Sequence, residues 1–113
     1  MRSDDAYLLD ILEAARLALE YVHEATLEQF RRNVQLQDSV IRRLEIIGEA
    51  ARSVSLQERR NLPDLPWQAM IGMRNVLIHR YDSVDLDVVW DTVVYHLPRV
   101  VATLESIVPP ADA

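Results

Sequence analysis

Apolar residues recur every three or four positions along most of the chain, which is the spacing of one face of an α-helix. This spacing predicts four long helices and one short one, with the bounds 4–22, 27–33, 36–54, about 66–79 and about 86–104. Short connections make neighbouring helices antiparallel. The predicted fold is therefore all-α, an antiparallel four- to five-helix bundle in a single domain over residues 1–113, with a frayed tail over 108–113.

Local signals refine these helices. Thr26 and Gln29 fit a capping box, so the short second helix should start after Thr26 and turn Leu27, Phe30 and Val34 inward. The prolines of Leu62-Pro-Asp-Leu-Pro66 should end the preceding helix and start the next.

Two further features concern packing. Arg43, Ile46 and Ala50 lie on the far side of the third helix from its apolar stripe, and this strip is a candidate homodimer face. Pro98 should kink the last helix, because it removes the backbone hydrogen bond to the carbonyl of Val94.

Composition and charge narrow the range of functions. Twelve arginines and no lysine stand against eighteen acids, which gives a net charge of −6. Affinity for nucleic acid comes mainly from neutralised phosphates, so a DNA-binding role is not expected and any RNA contact must be local. There is no cysteine, which excludes disulfides and thiolate metal sites. Neither a signal sequence nor an apolar run of membrane-spanning length is found, so a soluble cytoplasmic protein is expected.

The stretch Trp67–Asp82 carries the chemical anomaly of the sequence. Arg74 occupies a position in its helical apolar stripe where another leucine would fit. Because a guanidinium cannot lose its charge, this arginine must find an acidic partner or face a cavity. His79 follows five residues later and is suited to proton transfer near neutral pH. The two positions are about 140° apart around the helix and about 7.5 Å apart along it, so they would converge at the helix end or across a two-fold axis.

Two interpretations of Glu45 and Glu49, the candidate acidic partners of Arg74, stay open. Glu45 and Glu49 are four residues apart on the third helix and are candidates to pair with Arg74 across the bundle. The alternative is that both are solvated and pair locally with Arg42 or Arg52.

Other catalytic classes lack support. The histidines at 23, 79 and 96 show no H-E-x-x-H or Glu-x-x-His pairing, so neither a metal nor a cofactor is implied. His23 is expected near the end of the first helix and His96 on the surface. An arginine with a histidine suffices for metal-free RNA cleavage through the 2′-hydroxyl. Their spacing alone is weak evidence, since a buried Arg–Glu tie beside a helix-ending histidine would give the same pattern.

The residues from Arg74 to Tyr81 resemble a known signature. Arg74-Asn75-Val-Leu-Ile-His79-Arg80-Tyr81 is similar to the Arg-polar-x3-His motif of the HEPN superfamily and to the R-x4-H-x-Y form of HepT-like toxins. The segments 41–51, 67–74 and 84–90 are similar as well, so the resemblance covers nearly the whole chain.

This resemblance implies a homodimer in which the Arg–His sites face a cleft between subunits and cleave RNA without a metal. His79 would be the acid/base, Arg74 the phosphate and transition-state ligand, and Asn75 the residue that orients the site. The family resemblance also implies a toxin silenced by an MNT-type nucleotidyltransferase antitoxin that transfers AMP to Tyr81. Arg80 would add a phosphate contact, or would be a solvated surface arginine.

Two classes of function stay open at this point. The complete set of Arg74, Asn75, His79 and Tyr81 favours the ribonuclease toxin. The acidic balance mildly favours a non-catalytic HEPN module that binds a nucleotidyltransferase. Without the resemblance, Tyr81 would be interpreted as a half-buried packing residue.

Overall fold

The fold is known from a computed structural model, which describes residues 2–79 and 84–108; at positions 74–76, 78 and 79 it describes the backbone only. Across these residues the regular structure is entirely helical. The helices are α1 (Asp4–Val22), α2 (Leu27–Arg32), α3 (Val34–Ser53), α4 (Leu56–Asn61), α5 (Trp67–His79), α6 (Leu86–Asp91) and α7 (Leu97–Glu105), with a π-helical turn at Thr92–His96 between the last two. The predicted all-α bundle is confirmed.

One apolar core holds the helices together. α3 packs against α1 and α5, and α1 also packs against α7. The apolar stripes predicted for these helices supply the core, which comprises Leu8, Ile11, Leu12, Ala15, Ala18, Val22, Phe30, Val40, Leu44, Ile47, Ala51, Val54, Met70, Leu77, Val89, Val93, Leu97, Val100 and Leu104 among others. α3 therefore lies between the first helix and the helix that carries Arg74 and His79.

Side-chain caps fix where most of the helices begin. The side chains of Ser3, Thr26, Asn33, Ser55 and Asp85 each accept a hydrogen bond from a backbone N–H in the first turn of the helix that follows. At Thr26 the capping box is complete, because the Gln29 side chain also accepts from the Thr26 N–H at 2.9 Å. The capping box predicted from the sequence is therefore confirmed.

Three details differ from the sequence-based expectations. A short helix, α4, follows its N-cap Ser55 and is not among the predicted helices. It has six residues, too few for an apolar periodicity to reveal it. Val34 is 66% exposed rather than turned inward, because it begins α3 instead of ending α2. Ala50 is buried at 5% exposure in the contact between α3 and α1, whereas Arg43 and Ile46 of the same strip are partly exposed, and the homodimer face stays a prediction.

The last helical run is interrupted just before Pro98, the second residue of α7. In the π-helical turn the Leu97 N–H donates to the carbonyl of Thr92, five residues back. Widening a turn by one residue is one way for a helix to accommodate a proline that lacks an N–H. The tail predicted to fray lies outside the described residues except for Val108, whose N–H donates to Leu104.

Asp4 joins α1 to the start of α4. Its carboxylate accepts hydrogen bonds from the Ser55 Oγ at 2.7 Å and from the Ser55 N–H at 2.9 Å, and these bonds lower the pKa of Asp4. A depressed carboxyl pKa contributes stability above the unfolded value of about 3.9, and that contribution is lost as the pH falls towards the folded value.

We expect Asp4→Asn to lower the melting temperature at pH 7 and to have progressively less effect below about pH 4. Thermal melts followed by circular dichroism between pH 3 and pH 7 measure this difference. Asp5→Asn is the matched control, since it removes the same charge from the same helical turn but leaves the bonds to Ser55. An unchanged difference between wild type and Asp4→Asn across the range would contradict the prediction.

Among the described residues, no helix is both long and apolar enough to cross a lipid bilayer.

Candidate active site

The start of α5 is fixed by the proline segment before it. The Trp67 indole Nε1 donates to the Leu62 carbonyl at 2.9 Å, and the Met70 N–H donates to the Pro66 carbonyl at 3.0 Å. Leu65 is buried within the core. These contacts hold the first turn of α5 against the bundle. They therefore help to fix which face of α5 is turned towards the core.

The structure places the backbone of three predicted site residues on α5. Arg74 and Asn75 lie in its second half, and His79 is its last residue. At 100° and 1.5 Å per residue, positions 74 and 79 are about 140° apart around the axis and about 7.5 Å apart along it. Arg80 and Tyr81 lie outside the described residues, so their predicted roles stay predictions.

The buried residues of α5 show on which face of the helix position 74 lies. Met70 and Leu77, four residues before and three residues after, are both buried, and Leu77 is fully so. Positions at these intervals lie on one helix face. The backbone at position 74 is therefore on the core-facing stripe, as the sequence predicts, whereas position 79 is on a different side of the helix.

An apolar cavity of about 240 Å³ lies between α3, α5 and the last helical run. Met70 and Met73, which precede position 74 on α5, are among the residues that line this cavity. Its other lining residues are Leu44, Ile47, Pro66, Ala69, Thr92, His96, Leu97 and Val100. Among the side chains that the structure describes, this lining is mostly aliphatic, with Thr92 and His96 as its polar residues.

The two glutamates proposed as partners of Arg74 have different surroundings. Glu45 has a side chain that is 20% exposed, and its Oε2 lies 3.4 Å from the Nη1 of Arg42. The local pairing with Arg42 that the sequence allowed is therefore present. Glu49 is exposed and lines a groove between α1 and α3. A contact of either glutamate with Arg74 involves a side chain outside the description and stays a prediction.

The other two histidines lie where the sequence places them. His23 is exposed and caps the C-terminus of α1, and His96 is exposed at the end of the π-helical turn. Among the residues whose side chains the structure describes, which leave out 74–76, 78 and 79, no group of three or more His, Asp or Glu residues is arranged to hold a metal ion.

Sequence reasoning missed a contact between α2 and α6. The Arg31 Nε and Nη2 donate to the two carboxylate oxygens of Asp87 at 2.9 and 2.7 Å. These bonds hold the pKa of Asp87 below its ordinary value. Next to this pair, the rings of Phe30 and Trp90 are 5.5 Å apart. The ion-paired residues are 56 positions apart, so helical periodicity carries no signal for the contact.

The described helices form a bundle whose fifth helix carries an arginine and a histidine five residues apart, as the resemblance to the HEPN superfamily implies. A family model described as "Ribonuclease HepT-like" matches residues 11–107, which include all of α5 and the positions that follow it. The chain belongs to this ribonuclease HepT-like family, as its resemblance to HepT-like toxins predicts.

Several proteins are similar to the chain over almost their whole length. "Probable ribonuclease HepT" of Thermococcus cleftensis is 41% identical over 106 residues, which are 94% of this chain and 96% of the relative. "Putative RNase MJ1380" of Methanocaldococcus jannaschii is 37% identical over 106 residues, 94% of this chain and 97% of the relative. "Putative RNase MJ0127" of the same organism is 32% identical over 103 residues, which are 91% of this chain and 85% of the relative. No solved structure matches the chain.

Proposed function

We propose that this protein is a metal-independent endoribonuclease that acts as the toxin of a toxin–antitoxin pair. The observation that carries the proposal is the family match over residues 11–107, within which Arg74, Asn75, His79 and Tyr81 are all present. The names of the relatives support a ribonuclease in the same sense. The chain's own residues supply a permanent cation and a group that exchanges protons near neutral pH.

The proposed reaction needs nothing beyond RNA and these side chains. The 2′-oxygen attacks the adjacent phosphorus, the bond from phosphorus to the 5′-oxygen breaks, and a 2′,3′-cyclic phosphate and a 5′-hydroxyl result. His79 accepts the proton of the 2′-hydroxyl or delivers a proton to the leaving 5′-oxygen. Arg74 stabilises the charge on the phosphoryl oxygens through its paired N–H donors, with Asn75 orienting the site and Arg80 as a further phosphate contact.

A homodimer completes this proposal. Positions 74 and 79 are on different sides of α5, so a single helix does not aim both at one phosphate. A two-fold axis next to α5 would bring the arginine of one copy towards the histidine of the other. The site would then lie in a cleft between the two subunits.

The test is RNA cleavage by the purified protein in the presence of EDTA. We expect the wild type to cleave and the Arg74→Ala, His79→Ala double variant to have lost cleavage. An RNA with 2′-deoxy substitution at the cleaved nucleotide should resist, because it lacks the attacking oxygen. Cleavage that EDTA abolishes, or that the double variant retains, would contradict the proposed mechanism.

The proposed regulation is transfer of AMP to Tyr81 by an MNT-type nucleotidyltransferase. An adenylate next to His79 adds negative charge and bulk, which repel and block an RNA phosphate. Co-expression with the transferase should raise the mass by one or more AMP groups in the wild type and leave Tyr81→Phe unmodified. Modification of Tyr81→Phe to the same extent would show that another residue is the acceptor.

The net charge of −6 favours a second candidate, a non-catalytic module that binds a nucleotidyltransferase. The wild type and the double variant also distinguish this module from the ribonuclease. A stable complex with the transferase, together with wild type and double variant that are equally inactive on RNA, would support the module.

A further inference from the structure

A groove of about 910 Å³ runs between the end of α1 and the corner where α2 meets α3. A second hollow, of about 230 Å³, continues it along the first two turns of α3. Both are lined by Tyr21, Asn33 and Leu36, so they form one continuous surface, which we call the corner groove.

Apolar side chains are left uncovered in the corner groove. Tyr21 is exposed, and Leu36 is half-buried. Val34, which the sequence predicted to face inward, is exposed in the same groove. Single exposed apolar residues are normal on a protein surface, but three that line one groove form a patch suited to a contact with another molecule.

One wall of the corner groove is acidic. Glu20 lies in the last turn of α1 and Glu24 just beyond it, both exposed, and neither has an ion-pair partner among the residues that the structure describes. Arg32, a permanent cation of the same groove, is already paired, because its Nη2 lies 2.7 Å from the Oε1 of Glu28. His23 adds a positive charge only when it is protonated. The groove therefore favours a cationic partner and disfavours the phosphates of RNA.

The other wall presents hydrogen-bond donors. The Gln29 Oε1 accepts from the Thr26 N–H at 2.9 Å, and the Asn33 Oδ1 accepts from the Leu36 N–H at 3.0 Å. Each cap fixes the orientation of its amide, so the NH₂ group of each side chain keeps two donors. Across the described part of the chain, neither NH₂ group has a hydrogen-bond partner. A peptide chain supplies matching acceptors, because every residue of it carries a backbone carbonyl.

We infer that the corner groove is the docking surface of a protein partner that presents a lysine or arginine next to an apolar side chain. The apolar side chain packs on Tyr21 and Val34. The cation pairs with Glu20 or Glu24, and backbone carbonyls of the partner accept from the amides of the opposite wall. The nucleotidyltransferase of the proposed function is the partner that we expect here, so its identity rests on that proposal, whereas the chemistry of its docking segment rests on the groove.

The acidic wall is tested by titrating the purified nucleotidyltransferase in a calorimeter. Glu20→Gln with Glu24→Gln removes two negative charges from the groove. The control, Asp5→Asn with Glu13→Gln, removes two exposed carboxylates of α1 that do not line it. We expect the groove variant to raise Kd about 10-fold and the control to stay within about 2-fold. Added salt should weaken binding of the wild type more than that of the groove variant, because salt screens the charge contact.

The apolar patch is tested in the same titration. Tyr21→Ser removes the exposed aromatic ring from the groove, and Tyr95→Ser, at an exposed tyrosine of the π-helical turn, is its control. We expect Tyr21→Ser to raise Kd about 10- to 30-fold, since aromatic anchors contribute most to an interface, and Tyr95→Ser to stay within about 2-fold. Circular dichroism melts establish that each variant is folded.

The chemistry of the docking segment is tested without the transferase. Random peptides displayed on phage are selected on the immobilised wild type and then depleted on the Glu20→Gln, Glu24→Gln variant. The peptides that bind the wild type alone should carry a lysine or arginine close to an apolar residue. A selection that enriches no peptide, or enriches peptides without this pattern, would overturn the proposed chemistry of the groove.

The remaining results separate this docking surface from the proposed function. Unchanged affinity of the transferase in both groove variants would overturn docking at the groove, and the toxin could still be modified and active. If the wild type binds no transferase, the proposed partner fails, and the peptide selection decides on the groove. Weaker RNA binding by Tyr21→Ser would assign the groove to RNA, and a change of its oligomeric state in sedimentation would assign it to a second copy; either result would overturn the inference.

Discussion

His79→Ala is expected to lower the rate of RNA cleavage by about 10²- to 10⁴-fold, the range that a positioned general acid or base contributes. The substitution removes the proposed proton carrier from the last residue of α5 while leaving the apolar stripe of that helix unchanged. Cleavage rates of the purified protein at saturating RNA measure the effect, and circular dichroism establishes that the variant is folded.

The chain offers two matched controls for this variant. His23 and His96 are exposed and lie at other helix ends, so His23→Ala and His96→Ala should each keep the rate within about 2-fold. A His79→Ala protein that is folded and cleaves at the wild-type rate would refute the assignment of His79 as acid/base. A large loss in His96→Ala instead would move the chemistry to the cavity between α3, α5 and the last helical run.

Phe30→Ala is expected to lower the free energy of unfolding by about 3–5 kcal/mol, the usual cost of truncating a fully buried phenylalanine. Phe30 is 0% exposed and is the only residue of the short helix α2 that is buried. Its removal leaves a cavity next to Trp90 and withdraws the apolar anchor of α2. For a domain of this size the loss corresponds to a fall in melting temperature of about 10–20 °C.

Chemical denaturation followed by circular dichroism measures this loss directly. Val34→Ala is the matched control, because Val34 is 66% exposed four residues further on and should change stability by less than about 0.5 kcal/mol. A Phe30→Ala change below about 1 kcal/mol would mean that α2 contributes little to the cooperative core.

Helical periodicity was sufficient to predict most of the fold. The first helix was predicted over 4–22 and is found at Asp4–Val22, because its stripe is regular and its first turn is acidic. The start of the short helix is predicted from the Thr26–Gln29 capping box, and that box is present. Local signals of this kind operate within one or two turns, so one sequence contains them in full.

Contacts between distant helices could not be predicted in this way. The sequence places Ala50 on the far side of α3 from its apolar stripe, because periodicity shows that one stripe but not that Ala50 is buried against α1. The Arg31–Asp87 pair escaped prediction because a charged residue on a helix surface looks the same whether or not it has a distant partner. The assignment of Arg74, Asn75, His79, Arg80 and Tyr81 came from resemblance, since the Arg–His spacing alone is too common to identify a site.

The two tryptophans lie on different helices and have different partners, and this makes each an optical reporter of a different event. Trp67 begins α5 with its indole N–H bound to a backbone carbonyl, whereas Trp90 belongs to α6 and contacts Phe30. In a Trp67→Phe background, the remaining fluorescence would follow the separation of α2 from α6. In a Trp90→Phe background it would follow the release of the helix that carries Arg74 and His79.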